Sequence, residues 1–217
     1  MEDIELVAAA HHEAGHVVVA HLLNCRVDGM EVYYSDLGRW FGRSLVSLTK
    51  EDLDGVREIM QMNSLSVIEA KVAVAGMLTQ ATFLAIQQFG EGAQLDTSAD
   101  LGAMVCFLRD NKSTEESPRS LIIGFVLGAN TEKRRLELNG FDFSKEDSKA
   151  FNYSLGRRGD AGPHTLVRET IQLLNDGATW MQAKALAAIL LNQPSSGKER
   201  RRVLTPDQIL HGLHAQE

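Results

Sequence analysis

A chain of 217 residues is long enough for one substantial domain with a full hydrophobic core, and its 44% hydrophobic and 24% charged residues are those of a soluble globular protein. The net charge of -7 argues against a broad nucleic-acid or anionic-membrane surface. Two cysteines, Cys25 and Cys106, with no C-x-x-C pair, give no disulfide framework and favour a reducing compartment.

The chain opens Met1-Glu2-Asp3-Ile4-Glu5, acidic where a secretory signal would be basic, so a cytoplasmic location is expected. The first helix is predicted from Ile4 to Leu23, ending before Asp28-Gly29. It contains His12-Glu13-Ala14-Gly15-His16, an H-E-x-x-H signature of zinc hydrolases. Residues four apart lie one above the other on a helix, so His12 and His16 can hold one metal ion. Glu13 lies about 100° around the helix from His12, within reach of a metal-bound water without being a ligand. Val17, Val18, Val19, Leu22 and Leu23 would bury the helix. A glycine costs a helix about 1 kcal/mol against alanine, so Gly15 suggests close approach to the backbone. His11 projects from another face and is expected at the surface.

Met30 to Tyr34 and Phe41 to Leu48 read as a hairpin turning at Ser35-Asp36-Leu37-Gly38. Its edge could accept an extended peptide as an added strand, or it could be plain scaffold. Trp40 and Phe41 suit a substrate cleft or the core equally. Thr49 and Asp52 resemble a capping box, with one or two helices following to Gln88. Val72 to Gly90 is nearly membrane-length, but Thr79, Gln80, Thr82, Gln87 and Gln88 favour a buried helix.

Thr97-Ser98-Ala99-Asp100 opens a further helix to about Arg109, and Ser120 to Asn130 reads as another. Loops are expected from Asn139 to Pro163. A long helical segment covers His164 to Leu191 with a break near Asp176-Gly177. After a loop from Pro194 to Arg202, Thr205-Pro206-Asp207 starts a last helix. No repeat or linker divides residues 1–217, so one domain is expected, mainly α (α+β), with one small sheet.

A catalytic zinc usually takes three protein ligands, and the motif supplies two. The pattern H-E-x-x-H-x-x-G-x-x-H fails, because Val19 and Leu22 occupy its last two fixed positions. His21 misses by one residue and points away. Glu58 and Glu69 are candidates on later helices, and Asp100 at a helix start is the best alternative. Ser195-Ser196-Gly197-Lys198-Glu199 lacks both the first glycine and the final Ser/Thr of a phosphate loop, so ATP binding is not expected. His164, His211 and His214 are expected to be structural or exposed, and Lys198 with Arg200-Arg201-Arg202 a solvated loop rather than a nucleic-acid contact.

Taken together, these segments resemble the protease domain of FtsH-type zinc metalloproteases. There His-Glu-Ala-Gly-His is followed by an apolar run, a hairpin, helices and a Gly-Ala-Ser-Asn-Asp-Leu-like segment. The counterparts are His12 to His16, the hairpin with Gly38-Arg39 and Gly42, and Thr97-Ser98-Ala99-Asp100-Leu101, with Leu186 to Leu191 and Leu204 to Ile209 similar to the closing helices. The resemblance implies a zincin-like helical domain with a small hairpin or sheet after the zinc helix and a C-terminal helical bundle. It implies Zn2+ held by His12, His16 and Asp100, with Glu13 moving the proton during hydrolysis of peptide bonds. Unfolded or flexible polypeptides are the implied substrate, and a homo-oligomeric ring is a further expectation.

The chain departs from that family at Leu78-Thr79-Gln80-Ala81, where a glutamate pair is normal, and between Gly90 and Asp100, which looks rearranged. The sequence holds no AAA ATPase module and no transmembrane segment. The protein is therefore expected either to cleave only unfolded or flexible polypeptides or to depend on a separate unfoldase or adaptor. The alternative reading is a peptidase-like binding or scaffold protein that retains the zinc fold without turnover.

Overall fold

The computed structural model describes residues 3–47, 65–89 and 163–214. Its elements are α1 (Ile4–Leu22), β1 (Arg26–Tyr34), β2 (Trp40–Ser47), α2 (Leu65–Phe89), α3 (Pro163–Asn175), α4 (Gly177–Leu191), β3 (Arg202–Leu204) and α5 (Pro206–His214). Among the described residues the fold is therefore mixed α+β, five helices with one three-stranded antiparallel sheet. The expected helices from Thr97 and from Ser120, the capping box at Thr49 and the loops up to residue 162 lie outside the described residues.

Helix α1 is the centre around which the rest packs. It begins at Asp3, whose side chain accepts from the Glu5 backbone N–H, and closes at Leu23 and Asn24, one residue short of the expected end. Every residue from Ala10 to Ala20 is buried, because α1 is covered on several sides rather than along one stripe. Leu6, Ala10, Ala14, Val17 and Val18 meet Met30 and Val32 of β1, Leu204 of β3, Leu186 and Leu190 of α4, and Ile209 and Leu213 of α5. Each fully buried leucine in this cluster contributes about 1.5–3 kcal/mol against exposure.

The opposite flank of α1 is covered by α2. Here Gly15 answers the expectation of close approach: a Cβ on it would lie 2.6 Å from the Ala75 carbonyl oxygen and 2.7 Å from Thr79 Cβ. The two backbones meet at a distance only glycine allows. Ala73, Val74, Ala75, Met77, Leu78, Ala81 and Phe83 are buried along α2. The buried ammonium of Lys71 pairs with Glu169 of α3 at 2.8 Å, which offsets the cost of taking that charge out of water. No helix among the described residues is long and apolar enough to cross a membrane.

The sheet order is β2-β1-β3. The hairpin pairs Tyr34 with Trp40 and Arg26 with Ser47, with a register shift between Val27 and Gly29. Its turn closes through Ser35 and Arg39, with Gly38 at φ 74. β3 corrects the sequence reading, which placed Arg202 in a loop. Arg202, Val203 and Leu204 pair with Val32, Glu31 and Met30, so a three-residue strand exists because β1 offers an edge, not because of its own propensity. The break near Asp176 is as expected: its carboxylate caps α4 by accepting from the Thr179 N–H at 3.0 Å and the Thr179 hydroxyl at 3.1 Å.

Candidate metal centre

His12, Glu13 and His16 come together midway along α1, with one possible ligand atom from each lying within 4.8 Å of the others. Among the described residues this is the only group of three or more such side chains placed to hold a metal ion. They are 9, 5 and 6% exposed respectively. A carboxylate at that depth is costly unless hydrogen bonds and a nearby cation compensate it.

Each side chain is held by a neighbouring element. Gln80 of α2 accepts through Oε1 from His12 Nδ1 at 3.1 Å, and the Val72 carbonyl of α2 accepts from His16 Nδ1 at 2.7 Å. With the Nδ1 protons given to oxygen acceptors, Nε2 of each ring bears the lone pair that a metal requires. Glu13 turns to β2 instead. Ser44 Oγ donates to Glu13 Oε2, and Gly42 lies so close that a Cβ there would sit 2.6 Å from Glu13 Cδ.

The two imidazoles stand close enough to share one metal ion. With zinc–nitrogen bonds of about 2.0–2.1 Å, the centroids of two imidazoles sharing such an ion stand about 5 Å apart. Those of His12 and His16 are 4.8 Å apart, edge to face. Gly76 on α2 keeps the space open: a Cβ there would be 2.6 Å from His16 Cε1 and 2.8 Å from His12 Cδ2, and would also crowd His16 Nε2. Sequence reasoning did not single out Gly76 or Ser44, and it named Gly42 only as part of the hairpin. The signal was present only for Gly42, as a glycine within an otherwise regular strand.

The remaining candidates fall differently. Asp100 and Glu58 lie outside the described residues, and Glu69 is on α2 with its side chain outside the description. His11, expected at the surface, is buried. Its ring stacks on Phe83 and its Nδ1 donates to the Val7 carbonyl at 2.8 Å; burial pushes its pKa down to about 4. The expectation failed because α2 and α4 cover the helix face that His11 occupies. His211 and His214 are exposed, as expected, with His214 edge-on to His21 at 6.0 Å; the His164 side chain is outside the description.

Lys198 and Arg200 are exposed and Arg201 and Arg202 half-buried. Arg200 lies 4.0 Å from the Tyr34 ring centroid and 4.9 Å from that of Trp40, while Arg201 pairs with Glu31 and Glu199. Trp40 packs partly buried against the core and donates from Nε1 to Asp3 Oδ2 at 2.6 Å; Phe41 stacks on Tyr33.

Neither a protein-family model nor a curated protein matches this chain.

Proposed function

We propose that this protein is a zinc-dependent metallopeptidase of the FtsH type that hydrolyses unfolded or flexible polypeptides. The observation that carries the reading is the convergence of His12, Glu13 and His16, with Nδ1 of each imidazole held by an oxygen acceptor on α2. His12 and His16 would hold the ion through those nitrogens, and Asp100 is the proposed third ligand. Bound zinc supplies activation of water at neutral pH and stabilisation of the developing oxyanion.

The rest of the chemistry belongs to the chain's own groups. Glu13, held at Oε2 by Ser44, takes the proton of the attacking water on its carboxylate and delivers it to the leaving amine. β2 is an edge strand among the described residues and its Gly42 and Ser44 touch Glu13. A polypeptide added along that edge would run beside the base, with main-chain hydrogen bonds giving affinity for extended segments. Such a substrate must already be unfolded, so a separate unfoldase or adaptor, a ring-like homo-oligomer and a cytoplasmic setting belong to the same proposal.

The test is cleavage of casein by the purified full chain before and after chelation. Cleavage that chelation abolishes and zinc restores is the expected result. Zinc bound stoichiometrically with no cleavage of any unfolded polypeptide would overturn it in favour of a binding or scaffold protein that retains the metal fold.

A further inference from the structure

Besides the close approach of Gly76, helix α2 gives the centre two hydrogen-bond acceptors among the described residues, both uncharged. The Val72 carbonyl that receives His16 Nδ1–H belongs to the backbone and is present whatever residue stands there. The acceptor for His12 is different, because it is a side chain: Gln80 Oε1, 3.1 Å from Nδ1 and 68 residues away in the chain. Its identity is chosen by the sequence.

An acceptor at this point has two consequences. A neutral imidazole bears one proton, and placing it on Nδ1 leaves the lone pair on Nε2, beside the second histidine. The amide's other end is a donor and would demand the reverse tautomer, so the oxygen facing His12 decides which nitrogen can take a metal. The second consequence is electronic. A carboxylate accepting the same proton would raise the basicity of the ring and tighten its hold on a metal, whereas an amide oxygen does so less.

We propose that Gln80 is the positioning residue for His12, fixing its metal-binding tautomer while its lack of charge keeps the metal exchangeable rather than locked in. The proposal rests on reading His12 as a metal ligand. It differs from the peptidase reading in needing no turnover.

Its test uses zinc titration of the full chain against a chromophoric chelator, together with long-range proton–nitrogen NMR of the metal-free protein. Wild type should show His12 protonated on Nδ1. Gln80→Leu, which keeps bulk and removes the acceptor, should lose that preference and bind zinc about 10- to 100-fold more weakly. Gln80→Glu, which keeps an acceptor at the same reach, should preserve the tautomer and bind zinc more tightly than wild type. This second variant keeps the proposal testable if Gln80→Leu fails to fold.

Unchanged zinc affinity and tautomer in Gln80→Leu would overturn the positioning role. Equal or weaker binding by Gln80→Glu would overturn the part assigned to charge. Wild type that takes up no zinc would overturn the metal centre and this inference with it, whereas zinc uptake without casein cleavage would remove only the peptidase reading.

Discussion

The imidazole of His11 lies against the ring of Phe83, 4.1 Å between centroids and 19° from parallel, directly beside the first residue of the candidate metal centre. Burial is the main cause of its lowered pKa; the Val7 carbonyl opposes the shift and the charge of Lys184 adds to it. The folded-state value of about 4 lies below the ordinary 6.5. Between those values the unfolded chain binds a proton that the folded chain does not. Stability is therefore intact above pH 6.5 and lost as pH falls toward 4, by about 3 kcal/mol at most. Denaturant unfolding of metal-free protein should show this loss, and His11→Gln should flatten it. Parallel pH profiles for the two proteins would count against a buried neutral His11.

The contact between Gly15 and Thr79 makes two substitutions behave against their usual trend. In an ordinary helix interior Gly→Ala stabilises by about 1 kcal/mol. At Gly15 the new methyl would strike the Ala75 carbonyl and Thr79, and overpacking costs about 1–3 kcal/mol, so Gly15→Ala should be net destabilising. Thr79 Oγ1 is buried with no hydrogen-bond partner among the described residues. Thr79→Val keeps the shape and removes the stranded hydroxyl, and should raise stability by about 1 kcal/mol. Thermal unfolding of the two variants checks both signs.

Asp3 joins α1 to the hairpin, since Oδ1 accepts from the Glu5 N–H at 3.1 Å and Oδ2 from Trp40 Nε1 at 2.6 Å. Asp3→Ala removes a helix cap and an indole acceptor together and should cost about 1–2 kcal/mol. Asp3→Asn retains one acceptor oxygen for the cap and should recover part of that loss. Trp40 fluorescence should shift in the alanine variant if the indole leaves its place.

Gly42 is the point where β2 meets the Glu13 carboxylate. A methyl group at this position must displace the base while leaving both histidines alone. Gly42→Ala should therefore lower the rate of peptide cleavage by about 10- to 100-fold with zinc content unchanged. Loss of zinc in parallel with rate would mean that Gly42 supports the metal instead.

Much of this arrangement is legible in the sequence where the cue is local. The i, i+4 histidines, the turn at Gly38 and the Asp176-Gly177 break all depend on residues within a few positions of one another, and the structure has them as read. What was not legible depends on distant partners. β3 is a strand only because β1 pairs with it, and its first residue, Arg202, ends a basic run that resembles a loop. His11 faces inward because α2 and α4 cover a second side of α1, which the spacing along one helix does not reveal. Gly76 is a centre residue only through the His12 and His16 rings, 60 or more positions earlier.

The central claim is that Glu13 moves the proton at a centre held by His12 and His16. Glu13→Gln keeps the side chain's length and leaves both histidines in place while removing its capacity as a base. Casein cleavage by this variant and by wild type, each loaded with zinc to the same measured occupancy, tests the claim most directly. The expected result is full zinc occupancy in both and cleavage by the variant reduced about 100-fold or more. Equal cleavage by the two proteins would contradict it.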